Sequence, residues 1–363
     1  MKILEVIPCL SPGGAERFVV DLCNEMSRTE DVTLLSLKSL TIGNNGFYLY
    51  EVCERVKVEE MNLKDGFHIS YPLKVWRKIR SLQPDIVHFH LAGKYCILIT
   101  MLHSDKIKVF QTIHNDIRNS YSSGFNSLQI KTLGRLGKLN YITISKTNFD
   151  DFCRIYPGVS NTLIYNGRNL LCKTDKFPLI KEKINKLKQN KDCLVLLHIA
   201  RCTEQKNQQL LIKAFNHWIV NEANAILLMI GDGFNSDYGK ALQKEACKQI
   251  VFLGTTSNVA DYMYCSDAFI LSSNYEGMPI TAIESLLTGL PILSTPVCGV
   301  VDVVRHGQNG LLSEDWSEES FVKMLDTYNY KHKELKATAE QEMPDSPYKI
   351  SRCAAEYLKL FCQ

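Results

Sequence analysis

Ser273-Asn274-Tyr275-Glu276-Gly277-Met278-Pro279-Ile280-Thr281-Ala282-Ile283-Glu284 sets two carboxylates, Glu276 and Glu284, on either side of a turn into a helix. The preceding run, Asp267-Ala268-Phe269-Ile270-Leu271-Ser272, is apolar and ends in small polar residues, the pattern of a buried strand that delivers a loop. Glu276 then belongs to that loop. Pro279 suits a first helical turn, Ile280, Ile283, Leu287 and Leu290 follow a helical stripe, and Gly289 and Pro291 end it. Glu284 falls beside the buried face. Taken alone, such a pair reads more readily as a loop glutamate and a solvated or capping one. Its surroundings decide otherwise.

Outward from this strand-loop-helix unit, the same alternation repeats. Cys193 to Ile199, Ala225 to Ile230, Ile250 to Leu253, Ala268 to Ser272 and Leu290 to Ser294 read as strands of one series. Lys2 to Pro8, Val32 to Leu37, Val56 to Met61, Asp85 to His90, Lys108 to His114 and Tyr141 to Ser145 read as strands of an earlier one, with helical patterns such as Gly14 to Arg28 and Tyr71 to Leu82 between them. Strands alternating with helices imply α/β architecture with parallel sheets, in which ligands bind beyond the carboxyl ends of the strands. The composition shifts at the Lys-rich stretch Lys173 to Lys191, which places a boundary at Asn166: a first domain of residues 1–166 and a second of 167–346. Ala354, Tyr357, Leu358 and Phe361 form a terminal helical stripe, expected to return residues 347–363 to the first domain.

A chain of 363 residues is long for one core and natural for two. With 45% hydrophobic and 22% charged residues it has the composition of a folded soluble protein. No segment reaches the roughly 18 unbroken apolar residues of a membrane span. Ile3-Leu4-Glu5-Val6-Ile7 is interrupted by Glu5, Pro8 and Pro12 and reads as a strand rather than a secretory signal, so a cytosolic protein is expected. The 13 cysteines include no Cys-x-x-Cys pair, which argues against a zinc ribbon or redox motif and for reduced, packed thiols. A net charge of +3 is too small to imply a nucleic-acid partner.

Four constellations carry chemistry. Ser11-Pro12-Gly13-Gly14-Ala15-Glu16-Arg17 follows the first strand and opens a helix, where paired glycines admit a ligand to the backbone and the helix N-terminus favours negative charge. It is not the Gly-x-Gly-x-x-Gly fingerprint. Arg201 and Lys206 lie on one strand-to-helix connection, and a planar fork beside a flexible point charge suits a diphosphate; a salt-bridged loop with Glu204 is the competing reading. Gly231-Asp232-Gly233 and Gly254 end buried runs, either as tight turns or as places where a nucleotide approaches the backbone. His88, His90 and His114 end strands of one sheet. No carboxylate or cysteine joins them at a ligand spacing, so His88 is read as packed and the other two as cleft-lining rather than as metal ligands.

The order and spacing of these elements resemble the retaining glycosyltransferases of family 4. The matching residues are Gly13-Gly14-Ala15-Glu16, Asp85-Ile86-Val87-His88-x-His90, Thr112-Ile113-His114-Asn115, Ile164-Tyr165-Asn166-Gly167, Arg201 with Lys206, Gly231-Asp232-Gly233, Phe252-Leu253-Gly254, Ser266-Asp267-Ala268, Ser272, Glu276 with Glu284, and Gly307-x-x-Gly310-Leu311. The resemblance spans nearly the whole chain. It implies a GT-B fold, two Rossmann-like doubly wound domains facing across a cleft, the first for acceptor and the second for nucleotide sugar. It also implies that Arg201 and Lys206 bind the diphosphate, Glu276 the transferred sugar and Glu284 the ribose, with His114 near the sugar. Gly13, Gly14 and Gly231 would border the donor, the backbone at Gly254 would read the base, and Glu16, His90 and Asn166 would lie on the acceptor side. Pro279 stands where many members carry a second glycine; it removes an amide donor, leaving Gly277, Met278 and Ile280 to hold the donor.

The implied reaction is transfer from a UDP-sugar or another nucleoside diphosphate sugar to a saccharide or lipid-linked acceptor, with retention. No Asp-x-Asp motif occurs and two cations can neutralise the leaving group, so no metal and no cofactor beyond the nucleotide sugar is expected. Lys74, Arg77, Lys78 and Arg80, and separately Lys131, Arg135 and Lys138, lie in helix-like segments of the first domain and read either as solvated helix faces or as contacts for the anionic inner membrane leaflet. A nucleotide-sugar epimerase and a catalytically inactive binding subunit are the rival readings on the same architecture.

Overall fold

The strands are short continuous apolar runs, such as Leu194–Ile199 and Ala225–Ile230, because a parallel sheet covered by helices buries both faces of an inner strand. In the computed structural model, which describes residues 1–66, 68–95, 107–220, 223–343 and 346–363, they form two all-parallel sheets in two compact units. One unit comprises Met1–Asn169 and Pro347–Gln363, the other Leu170–Ser346.

The first unit holds seven strands: β1 (Lys2–Ile7), β2 (Asp31–Ser36), β3 (Lys57–Glu60), β4 (Ile86–His90), β5 (Lys108–Ile113), β6 (Asn140–Thr143) and β7 (Asn161–Leu163). Their order is β3-β2-β1-β4-β5-β6-β7, so the winding reverses between β1 and β4. Helix Gly14–Met26 buries Phe18, Val19, Leu22 and Met26 against this sheet. The terminal helix Ile350–Cys362 buries Ile350, Cys353, Ala354, Tyr357 and Phe361, a stripe of three- and four-residue steps, and packs on helix Gly14–Met26. Its entry is fixed by the Arg168 amide donating to the Tyr348 carbonyl at 2.8 Å and the Ile350 amide to the Arg168 carbonyl at 3.0 Å. Arg168 is itself buried against Asp21. The reading from sequence puts the boundary at Asn166; the chain changes unit after Asn169.

The second unit holds β8 (Leu194–Ile199), β9 (Ala225–Ile230), β10 (Ile250–Gly254), β11 (Ala268–Leu271), β12 (Ile292–Ser294) and β13 (Gly310–Leu312). Their order is β10-β9-β8-β11-β12-β13, with the reversal between β8 and β11. Helix Gln208–Val220 and the long helix Glu318–Glu342 pack together over a core that includes Phe215, Trp218, Leu227, Ile270, Phe321 and Tyr328. Burying side chains of this size stabilises the fold by about 1.5–3 kcal/mol each. Helix Ile280–Leu287 begins one residue after Pro279, its cap, and ends with Gly289 at φ +71 and the Leu290 amide bonded to the Ser285 carbonyl at 2.9 Å.

β7, β13 and helix Glu318–Glu342 are absent from the sequence reading. The two strands are three-residue edges, too short to show a period. At β13 a backbone approach replaces side-chain pattern: a Cβ on Gly310 would stand 2.2 Å from the Ile292 carbonyl oxygen. Among the described residues no helix is long and apolar enough to cross a membrane.

Candidate functional site

The reversal between β8 and β11 sends the connections that follow these strands in opposite directions, and in sheets of this kind ligands bind beyond the carboxyl ends of the strands at such a reversal. Arg201 and Lys206 follow β8; Ser272 to Pro279 follow β11. The two connections are tied together. The Asn274 amide donates to the Gln205 carbonyl at 2.8 Å, Asn274 Nδ2 to the Glu204 carbonyl at 2.9 Å, and Ser272 Oγ to the Lys206 carbonyl at 2.9 Å. Behind them, Ser273's carbonyl accepts from Thr295 Oγ1 at 2.7 Å and from Trp316 Nε1 at 3.0 Å.

Within this frame Lys206 Nζ lies 2.5 Å from Glu276 Oε1, which also accepts from Ser273 Oγ at 2.6 Å. Glu276 is 5% exposed. Its Oε2 has no partner among the described residues and keeps its capacity to accept a hydrogen bond. Arg201 is exposed, and its guanidinium pairs with no described carboxylate. Glu284 is buried on helix Ile280–Leu287. The amides of Gly277, Met278 and Ile280 find no acceptor among the described residues and lie at that helix's N-terminus, where donors favour an anion. The segment is pressed into place: a Cβ on Gly299, at φ +73, would stand 2.0 Å from the Gly277 carbonyl oxygen.

The neighbouring glycines have two different reasons. Gly231, at φ +154, passes so near the Arg201 loop that a Cβ would stand 1.9 Å from the Ala200 carbonyl oxygen. Its amide donates to the Gly254 carbonyl at 2.9 Å, while the Cys202 amide donates to the Asp232 carbonyl at 2.7 Å. Gly254, at φ +68, has open space where a Cβ would go. Under this floor lies His198, fully buried, its Nδ1 2.9 Å from the Ile270 carbonyl and its Nε2 3.2 Å from Gln208 Nε2. Burial holds its pKa down to about 4.

In the first unit, Gly13 caps helix Gly14–Met26 and Glu16 folds back over it, accepting from Ser11 Oγ at 3.2 Å. The histidines cluster with Glu5, which the sequence reading does not join to them. Period-two alternation puts His88 and His90 on one face of β4 and Thr112, with His114 just beyond the strand, on the same face of β5. β1 pairs with β4 so that Glu5 is opposite His88. His90 Nε2 lies 2.6 Å from Glu5 Oε2, and His90 Nδ1 lies 2.8 Å from His114 Nε2. His88 Nδ1 is 2.9 Å from the same Glu5 oxygen without the alignment of a full hydrogen bond. Its Nε2 reaches Thr112 Oγ1 at 2.7 Å, and Thr112 meets the Tyr357 hydroxyl at 3.1 Å. Burial would raise the Glu5 carboxyl, but the adjacent His88 and His90 outweigh it and hold it down to about 2. Burial lowers His90 to about 4 and keeps His114 well below the usual imidazole range.

Four sequence readings change here. A carboxylate does join His88 and His90: Glu5, more than eighty positions away in the chain and adjacent only through the strand order. His90 is fully enclosed and lines no surface; it reaches outward only through His114, which is 7% exposed. Asn166, read on the acceptor side, is also buried, with Oδ1 lacking a hydrogen-bond partner among the described residues. Lys206 is held by Glu276 rather than standing free as Arg201 does.

A family model described as Glycosyltransferase Family 4 matches residues 12–170, and one described as Glycosyl transferases group 1 matches residues 180–341. N-acetyl-alpha-D-glucosaminyl L-malate synthase of Bacillus anthracis is 28% identical over 250 residues, 63% of this chain and 61% of that protein. An Escherichia coli UDP-Gal:alpha-D-GlcNAc-diphosphoundecaprenol alpha-1,3-galactosyltransferase is 29% identical over 151 residues, 40% of this chain and 38% of that one. The chain thus spans less than two thirds of either relative. The crystal structure of Anabaena Alr3699/HepE in complex with UDP and glucose superposes with a TM-score of 0.82 at 17% identity, covering 100% of this chain and 99% of that one.

Proposed function

The chain belongs to the family 4 glycosyltransferases with the GT-B fold, and from that membership we propose that it moves a sugar from a nucleoside diphosphate donor, UDP foremost, to a hydroxyl of a saccharide or lipid-linked acceptor with retention of configuration. The observation that carries this reading is the set of groups at the β8–β11 reversal. An exposed guanidinium at Arg201, the locked Lys206, Oε2 of Glu276 and the amides of Gly277, Met278 and Ile280, all but Lys206 unpaired among the described residues, match a molecule with an anionic diphosphate and a hydroxylated sugar. UDP as the nucleotide is supported by the UDP and glucose bound in the Anabaena protein and by the donor in the Escherichia coli relative's name.

In the proposed reaction the departing nucleoside diphosphate gains charge as the sugar becomes oxocarbenium-like, and Arg201, Lys206 and the loop amides meet that charge as it grows. Two cations and a helix N-terminus do this without requiring a metal. Glu276 and Glu284 accept from hydroxyls of the sugar and the ribose. The acceptor hydroxyl attacks from the face the phosphate leaves.

The acceptor's membrane side is supported by a patch in the first unit. Phe125, Leu128 and Leu136 are exposed among Lys131, Arg135 and Lys138, none of which pairs with a described carboxylate. Exposed apolar residues and cations on one short stretch of chain fit an anionic leaflet at the cytoplasmic face.

A thermal-shift panel of nucleotide sugars, followed by NMR of the product's anomeric carbon, tests the function. A donor that raises the melting temperature and yields a product of unchanged configuration is expected. An inverted product refutes retention; conversion of the donor with no acceptor present identifies an epimerase; and binding without any turnover identifies an inactive binding subunit.

A further inference from the structure

The hydrogen bonds around His90 fix the direction of every proton in the chain that leads to His114. Glu5 is ionised and carries no proton, so at the 2.6 Å contact the hydrogen belongs to His90 Nε2. A neutral His90 then has a lone pair at Nδ1, and the 2.8 Å contact requires His114 to donate from Nε2. A neutral His114 is left with a lone pair at Nδ1. That atom has no partner among the described residues and is not one of the fully enclosed polar atoms, so it is the end of the chain that meets solvent.

We propose that Glu5 and His90 are positioning residues that lock His114 in its Nε2–H tautomer, so that His114 presents only a hydrogen-bond acceptor, at Nδ1, to a hydroxyl group of the substrate. The consequence for recognition is specific. A lone pair attracts an O–H and repels a phosphate or carboxylate oxygen, so His114 belongs to hydroxyl recognition and not to the grip on the diphosphate. The opposite polarity would need a proton on Glu5 or a doubly protonated His90, either leaving His90 to donate from Nδ1 to His114 Nε2; the adjacent His88 and His90 disfavour the first and complete enclosure of His90 disfavours the second. Phe18 packs edge-on against both rings, with centroids 6.3 Å from His90 and 5.9 Å from His114.

Glu5, His88 and His90 are also donors of the kind that hold metals. Their spacing favours the hydrogen bonds. Glu5 Oε2 stands 2.6 and 2.9 Å from the two histidine nitrogens, whereas two donors on one tetrahedral ion, each about 2.0 Å from it, lie about 3.3 Å apart. That His114 meets a sugar hydroxyl rests on the glycosyltransferase reading; the tautomer does not.

The test is a long-range 1H–15N correlation spectrum of the full chain near neutral pH, which separates protonated from bare ring nitrogens. His114 signals are assigned by their loss in His114→Gln. Nε2 of His114 and of His90 should be protonated, and Nδ1 of His114 bare. Glu5→Met should move the His114 signals toward the tautomer mixture of a free side chain and lower turnover about tenfold to a hundredfold, the loss expected of one unmade hydrogen bond, with UDP affinity unchanged. Glu5→Gln, whose amide oxygen can still accept from His90, should recover part of both. A protonated Nδ1 on His114 in the wild-type chain, or loss of the His88 and His90 N–H signals on titration with one equivalent of zinc, overturns the proposal whether or not the variants fold. Unmoved His114 signals in a folded Glu5→Met do the same. Absence of transfer with every donor would sink the glycosyl reading and leave the tautomer assignment intact.

Discussion

Arg201 and Lys206 are both cations after β8, yet their surroundings predict different losses when each becomes alanine. Lys206 is one of two donors to the nearly enclosed Glu276, at 2.5 Å, with its own side chain 19% exposed. Removing it leaves Glu276 with Ser273 as its one described donor. A charged hydrogen bond lost at a mostly buried site costs about 1–3 kcal/mol after allowance for the solvent that still reaches it. For a unit of this size that is a drop of about 2–12 °C in melting temperature. Arg201 touches no described carboxylate, so Arg201→Ala should stay within about 0.5 kcal/mol of wild type. For the diphosphate the order is different: each variant deletes one charge-assisted contact, about 1.5–3 kcal/mol, or roughly 10- to 150-fold in affinity. Differential scanning fluorimetry without ligand and calorimetric titration with UDP separate the two effects. Equal melting of both variants would refute the assigned role of the Lys206–Glu276 pair. Wild-type UDP affinity in Arg201→Ala would refute the diphosphate assignment.

Gly231→Ala must move the Ala200 carbonyl out of a 1.9 Å contact, so UDP affinity should fall at least about tenfold through displacement of Arg201, measured by calorimetry. Gly254→Ala meets nothing and carries only the strain of φ +68, about 1 kcal/mol, so a stronger UDP defect there than in Gly231→Ala would contradict the close-approach argument. His198, lowered from 6.5 to about 4, binds its proton more readily unfolded than folded. Its contribution is therefore complete above pH 6.5 and lost as pH falls toward 4, on the order of 3 kcal/mol in all, and a urea midpoint that stays level through that window would show that it contributes nothing. Replacing Phe125, Leu128 and Leu136 together by serine should abolish co-flotation with vesicles rich in anionic lipid while leaving melting temperature unchanged, because all three are exposed; undiminished flotation would exclude the patch.

The fold is legible in the sequence wherever one strand must bury both faces. Leu194–Ile199 and Ala225–Ile230 have no room for a polar side chain except one that is satisfied internally, and His198 is that exception. It is illegible where pairing rests on backbone. β7 and β13 are three residues each, and Gly310 admits β12 by lacking a side chain, which composition reports only as another glycine. Pro279 marks its helix start to within a residue because ring closure and the missing amide act locally.

The site divides along the same line. Arg201, Lys206, Glu276 and Glu284 can be picked out because each follows a recognisable strand or lies on a recognisable helix, so distance along the chain measures distance in space. Their differing states cannot, since the Lys206–Glu276 contact joins residues seventy apart across the β8–β11 reversal. Glu5 is the stronger case. Within β1 it merely interrupts an apolar run, and its meaning comes from a crossover that sets β1 beside β4 as well as beside the strand that follows it. A charge placed mid-strand in a sheet with two covered faces must nonetheless be paired or neutral. That rule, applied to Glu5 with the strand order known, leads to His88 and His90, the nearest donors on the neighbouring strand, before any side chain is placed. An unexplained buried carboxylate in such a sheet is therefore best pursued through its neighbours at the winding reversal, where β1 and β4 meet.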